Sequence, residues 1–156
     1  MKSIGYLLGA LALAFVIYLA VRSQRVLEAG LPPRFEHATQ AEALAACGDT
    51  TYSAILGTGS MAPFIPAAPA GVDPRSVTVA YAIERPGARY EDITPGAFVI
   101  YRPKWNKSGR TAHQAALQTP AGWVMSGLHN ERSEAWEPIT AAEFVGIIAA
   151  VHTWKQ

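Results

Sequence analysis

Thr51-Tyr52-Ser53-Ala54-Ile55-Leu56 runs directly into Gly57-Thr58-Gly59-Ser60-Met61-Ala62-Pro63-Phe64-Ile65-Pro66, and the reading of this junction decides the fold. The first six residues have the alternating pattern of a strand, so Ser60 stands on a tight turn just past a strand end. Gly57 and Gly59 flank Thr58; without a Cβ they adopt backbone angles that other residues resist and let a second chain come close to the peptide groups. A serine held in this way is offered to a substrate. Ser and Pro are also ordinary loop residues, so the rest of the chain has to decide between a nucleophile and a plain turn.

Ser60-Met61-Ala62-Pro63, with Thr58-Gly59 ahead of it, resembles the nucleophile motif of the signal peptidase I family and of its relatives, the self-cleaving SOS repressors, in which a strand runs into Ser-Met-x-Pro. Gly59, Met61 and Pro63 are the supporting positions of that motif. The resemblance implies a serine peptidase in which Ser60 attacks a peptide carbonyl. A serine hydroxyl is a weak nucleophile at neutral pH, so such an enzyme also needs a histidine or a lysine as base.

Downstream, strands alternate with Pro/Gly turns. Ser76–Ile83 places Val77, Val79, Tyr81 and Ile83 on one face and predicts a half-buried strand. Pro95-Gly96 launches Ala97–Arg102, a strand of β-branched and aromatic residues. Thr111–Leu117 and Trp123–Ser126, separated by Thr119-Pro120-Ala121-Gly122, read as a hairpin. Ile139–Glu143 carries a capping-box pattern that predicts one helical turn, and Phe144–Val151 reads as a buried strand.

The order of these strands says where to look for a base. In the bacterial signal peptidases a lysine follows the serine; in the branch that includes the endoplasmic-reticulum and archaeal enzymes a histidine followed by arginine takes its place. Here His113-Gln114 stands at the start of the hairpin, 53 positions after Ser60, and there is no lysine between Lys107 and Lys155. His113 is therefore the candidate base. The same branch has a Gly-Asp-Asn stretch and a further aspartate next. The matching stretch, Gly127-Leu128-His129-Asn130-Glu131-Arg132-Ser133-Glu134, lacks the first acid, and Ala97 replaces the acid of a family Pro-Gly-Asp turn. Glu134, with Glu131 as the alternative, is the candidate to orient the imidazole, and His129 is a competing titratable group. The resemblance further implies an oxyanion hole made by the Ser60 N–H and the Thr58 hydroxyl. It implies neither a metal nor an organic cofactor.

The N-terminus has a different character. Hydrophobic residues make up 50% of the chain and charged residues 16%, an excess to which Ile4–Val21 contributes an uncharged run. As a helix this run is roughly 27 Å long, close to the thickness of a bilayer's hydrocarbon core. Tyr6 and Tyr18 stand near its ends. Ala12-Leu13-Ala14 resembles a signal-peptide cleavage site, but the apolar run continues for seven residues past it, which favours an uncleaved anchor. Arg22 and Arg25 against Lys2 lean toward a cytoplasmic C-terminal domain, whereas the resemblance implies the opposite, extracytoplasmic side, and the latter is followed here. A net charge of +1 with no clustered basic face argues against a nucleic-acid partner. Cys47 is the only cysteine, which leaves no intramolecular disulfide.

The expectation is a mainly β protein, a small coiled barrel or folded sheet behind one transmembrane helix: an anchor at 1–25, a connector with a short helix (Thr39–Ala46, ending at Gly48) at 26–50, and a peptidase domain at 51–156. Cys47-Gly48 is the kind of bond the SOS repressors cleave in themselves, but a glycine closing a helix explains it better. The expected function is a single-pass membrane serine endopeptidase acting on a polypeptide. The alternatives are a non-catalytic module that retains the fold and a processing peptidase dedicated to one pilus or phage protein.

Overall fold

Strand formation follows the β-branched and aromatic residues, and the turns follow proline and glycine. The computed structural model describes residues 31–104, 109–129 and 138–156. In chain order it has strand β1 (Arg34–His37), helix α1 (Gln40–Cys47), β2 (Tyr52–Leu56), β3 (Thr78–Glu84), a 3-10 turn at Tyr90–Asp92, β4 (Phe98–Tyr101), β5 (Thr111–Thr119), β6 (Gly122–Ser126) and β7 (Phe144–Trp154). The protein is mainly β, and its sheet curls into a half-barrel. Among the described residues no helix is long and apolar enough to cross a membrane; the expected anchor, Ile4–Val21, lies outside them.

The curl centres on β7. The sheet order is β2-β3-β7-β4-β5-β6, with β1 also on β7. The Ile148–Thr153 part of β7 pairs with β3, and Phe144–Ile147 pairs with β4. Both partners change register where β7 passes from one to the other, at Ile83/Glu84 and at Ile100/Tyr101. Irregularities of this kind bend a strand and increase its twist, which folds β4-β5-β6 over toward β2-β3. Apolar side chains fill both halves. Met61, Val79, Phe98, Ile100 and Val151 pack in one cluster, and Val99, Tyr101, Trp123, Met125 and Ile147 in the other. Each large side chain so buried contributes about 1.5–3 kcal/mol.

Three local expectations need correction. The stretch read as a connector contains β1, which pairs in parallel with β7 from Arg34↔Val151 to His37↔Trp154. Arg-Phe-Glu-His has no strong strand preference of its own, and its extended state comes from that pairing. Strand β3 is buried on both faces, not one: Ala80 and Ala82 join the first cluster, while Tyr81 packs with Ala43, Cys47 and Trp154 beneath α1. Finally, Ile139–Glu143 makes a turn and no helix. The Thr140 N–H donates to Glu143 as the capping pattern predicts, but the Thr140 hydroxyl donates to the same carboxylate where a capping box has it accept the Glu143 N–H, and Phe144 already begins β7. Helix α1 agrees with its sequence, with Thr39 accepting from the Glu42 N–H and Gly48 closing the helix at φ 54°.

Candidate active site

Leu56 ends β2, and the next four residues are fixed by backbone bonds. The Gly57 N–H donates to Val77, and the Gly57 carbonyl accepts from the Ala68 N–H. A Cβ on Gly57 would stand 2.7 Å from the Ala68 nitrogen, so this close approach of two chains requires glycine. Gly59 turns the chain with φ 79°, in the left-handed region, and delivers Ser60. Beyond it Met61 and Ile65 point into the core, 3% and 2% exposed, and a cis bond joins Ala62 to Pro63.

Two distant segments hold this turn from outside. The His129 N–H, in the loop after β6, donates to the Ser60 carbonyl at 3.0 Å. The Arg34 guanidinium, on β1, donates to the carbonyls of Pro63 and Phe64 at 3.1 and 2.9 Å. Ser60 is thus braced by β2, the core, β1 and the β6 loop, the kind of support that holds a reactive group in one geometry.

The base candidate arrives from the other half of the sheet. His113 pairs with Val99 and Thr111 with Tyr101, so strand alternation places Tyr101 and His113 on one face as diagonal neighbours. His113 Nε2 lies 3.0 Å from Ser60 Oγ, and His113 Nδ1 lies 3.1 Å from the Tyr101 hydroxyl. The histidine is 4% exposed while Ser60 remains partly open. For Nε2 to accept the serine proton, Nδ1 must carry the ring hydrogen and donate it to the Tyr101 oxygen.

Ser60 and His113 open onto a cleft of about 670 Å³. Ser53–Leu56 of β2 form part of one wall, and Arg110–His113, at and just before the start of β5, form part of another. The outer edge of β2 is the end of the sheet, and β6 begins to pair with β5 only at Gln114, so among the described residues no strand covers Thr111–His113 on that side. Thr58 is exposed in the same cleft. Among the described residues, no acceptor takes the Ser60 N–H.

Glu131 and Glu134 lie outside the described residues. His129 is exposed, and it reaches the site through its backbone N–H. Cys47 is buried in α1, where burial pushes its thiol pKa up, which makes it a poor nucleophile. Among the described residues there is no group of three or more His, Cys, Asp or Glu side chains able to hold a metal ion. Sequence reasoning did not find Tyr101 or Arg34. Tyr101 reads only as a strand residue until the β4–β5 register is known, and Arg34 sits in the stretch taken as a connector.

No protein-family model matches the chain, and no characterised protein and no solved structure matches it. The functional reading therefore rests on the geometry of Ser60, His113 and Tyr101 and on the motif around Ser60.

Proposed function

We propose that this chain is a membrane-anchored serine endopeptidase of the signal peptidase I type, with Ser60 as nucleophile and His113 as general base. The observation that carries the reading is the 3.0 Å contact between Ser60 Oγ and His113 Nε2 at an open cleft. Serine and histidine at hydrogen-bond distance, with a third group on the far ring nitrogen, are the parts that activate a hydroxyl. The resemblance around Ser60-Met61-Ala62-Pro63 adds the substrate class, a polypeptide.

The outer edge of β2, where the sheet ends beside the cleft, suits an extended peptide, which would pair with it through its main chain. As Ser60 Oγ attacks the carbonyl carbon, its proton passes to His113 Nε2, and the imidazolium is held through Nδ1–H on Tyr101. The carbonyl oxygen gains negative charge, which the Ser60 N–H and the Thr58 hydroxyl are proposed to receive. His113 then gives the proton to the departing amine. A water molecule, losing a proton to the same nitrogen, hydrolyses the acyl-enzyme and restores Ser60.

Membrane attachment through Ile4–Val21, with the cleft on the extracytoplasmic side, belongs to the same proposal. The test is cleavage of membrane-presented polypeptides by the full chain in vesicles. Ser60→Ala and His113→Ala should each abolish nearly all turnover, and the double variant should lose no more than either, because nucleophile and base act as one unit. Full activity in His113→Ala discards the assignment. A properly folded chain that cuts nothing supports a non-catalytic module instead.

A further inference from the structure

The cleft walls carry an uneven charge. Arg75 and Arg110 both line the cleft, and among the described residues no carboxylate does. Arg110 is fixed in place: its Nη1 donates to Ser53 Oγ at 3.0 Å and lies 3.5 Å from Glu84, and the Ser53 hydroxyl in turn donates to Glu84 at 2.9 Å. Gly146 leaves room for that carboxylate, since a Cβ there would stand 3.1 Å from Glu84 Oε2. A guanidinium has five N–H donors, and these contacts occupy Nη1 alone.

Arg75 has no such anchor. Its backbone N–H is tied to Asp73, but among the described residues no carboxylate pairs with its side chain, which is exposed. Its loop is nevertheless held in register: two residues on, the Val77 carbonyl accepts from Gly57, the glycine that leads to Ser60. At the opposite wall Arg110 precedes His113 by three residues, about 10 Å along an extended chain. Both cations thus line the cleft onto which Ser60 and His113 open.

Resting on the peptidase reading, we propose that the cleft selects polypeptides with an acidic side chain within a few residues of the scissile bond, and that Arg75 is the group that reads it. A carboxylate toward the Val77 end of the cleft meets the Arg75 guanidinium, and one toward the Ser53 end meets the remaining Arg110 donors. Arginine forks match carboxylates in shape as well as charge. Apolar and small side chains fit the rest of the cleft, which Ile55, Met61, Ile65 and Ala112 line.

The test uses the full chain with Ser60→Ala, so that binding is read without turnover. Two fluorescent libraries of mixed-sequence peptides are compared by anisotropy, one with a position fixed as Asp and its twin with Asn there. The Asp library should bind roughly three- to tenfold tighter at low salt, with the advantage shrinking as ionic strength rises. Arg75→Gln should remove most of that advantage, and adding Arg110→Gln should remove the rest. Arg75→Glu should turn the preference toward a library with Lys fixed at the same position. Equal binding of the Asp and Asn libraries, binding of neither, or an advantage untouched by Arg75→Gln overturns the proposal. Cleavage by the unmodified chain separates the two readings. Turnover with no acid preference sinks this inference alone, whereas an acid preference in binding without any Ser60-dependent turnover sinks the peptidase reading alone.

Discussion

The Tyr101 hydroxyl stands 3.1 Å from His113 Nδ1, on the side of the ring opposite Ser60. A carboxylate in that place would stabilise the imidazolium by charge, whereas a phenol offers a neutral oxygen and orientation. Tyr101→Phe keeps the buried ring and removes only the oxygen. On the proposed mechanism it should lower kcat by roughly three- to tenfold, the worth of an ordinary hydrogen bond, with KM nearly unchanged. Glu134→Gln measured beside it decides which group supports the base: a loss far larger than that of Tyr101→Phe returns the role to the acid.

Thr58 tests the oxyanion site. Its side chain is exposed in the cleft two residues before Ser60, and its own N–H is committed to the Leu56 carbonyl at 2.9 Å. The hydroxyl is then the group left to donate. Thr58→Val preserves the shape of the side chain and should reduce kcat by about 10²-fold if that hydroxyl meets the developing charge. Thr58→Ser should recover most of the rate. Equal activity in the Val variant assigns the site to backbone donors.

Much of this arrangement was legible in the chain, for identifiable reasons. The strand before Ser60 and the hairpin at Thr111–Ser126 follow from residue patterning and punctuation, both local, whereas the choice of His113 as partner for Ser60 came from the family resemblance. Local signals also placed Thr39 and Gly48 at the ends of α1. The contacts of Tyr101, Arg34 and Arg110 were not legible, because each depends on how separate segments meet: Tyr101 on the β4–β5 register, Arg34 on the approach of β1 to the Pro63 turn, and Arg110 on the approach of β5 to β2. Strand β1 was hidden for the same reason: it is extended because β7 is there to pair with it. Strand β3 misled through its alternation, since the residues between Val79, Tyr81 and Ile83 are Ala80 and Ala82, small enough to be buried too.

Arg34 links β1 to the nucleophile turn, and its removal should show in the rate more than in stability. The guanidinium is exposed, so losing its bonds to Pro63 and Phe64 should cost the fold at most about 1 kcal/mol. The turn it braces, however, sets the direction of Ser60 Oγ. Arg34→Ala should lower kcat severalfold with a melting temperature within a few degrees of the unmodified chain. Both bonds come from Nη1, so Arg34→Lys, whose ammonium carries three donors, should recover most of the loss. A variant with unchanged kcat would show that β2, the core and the His129 N–H fix the turn without help from β1.

Acid should loosen the fold in two separable steps. On β7, His152 Nδ1 lies 2.8 Å from His37 Nε2 of β1, with Phe35 stacked on the His152 ring and Tyr81 of β3 opposite it in register. Burial, and next the charge of His37, hold the His152 imidazole below the ordinary histidine value. The unfolded chain therefore binds this proton more readily than the folded one, and stability present above the unfolded value of about 6.5 is lost as pH falls through the folded value. Glu143 follows at lower pH. Burial opposes its charge, but hydrogen bonds from Thr140 and the neighbouring Lys104 outweigh that and leave its pKa lowered. Its contribution is present above the ordinary carboxylate range and is lost as pH drops through its depressed folded value. Melting temperatures followed from pH 8 downward should accordingly fall first from about pH 6.5 and again below the carboxylate range. His152→Gln should flatten the first decline and leave the second, and Glu143→Gln should do the reverse. A first decline that persists in His152→Gln would place that proton uptake elsewhere in the molecule.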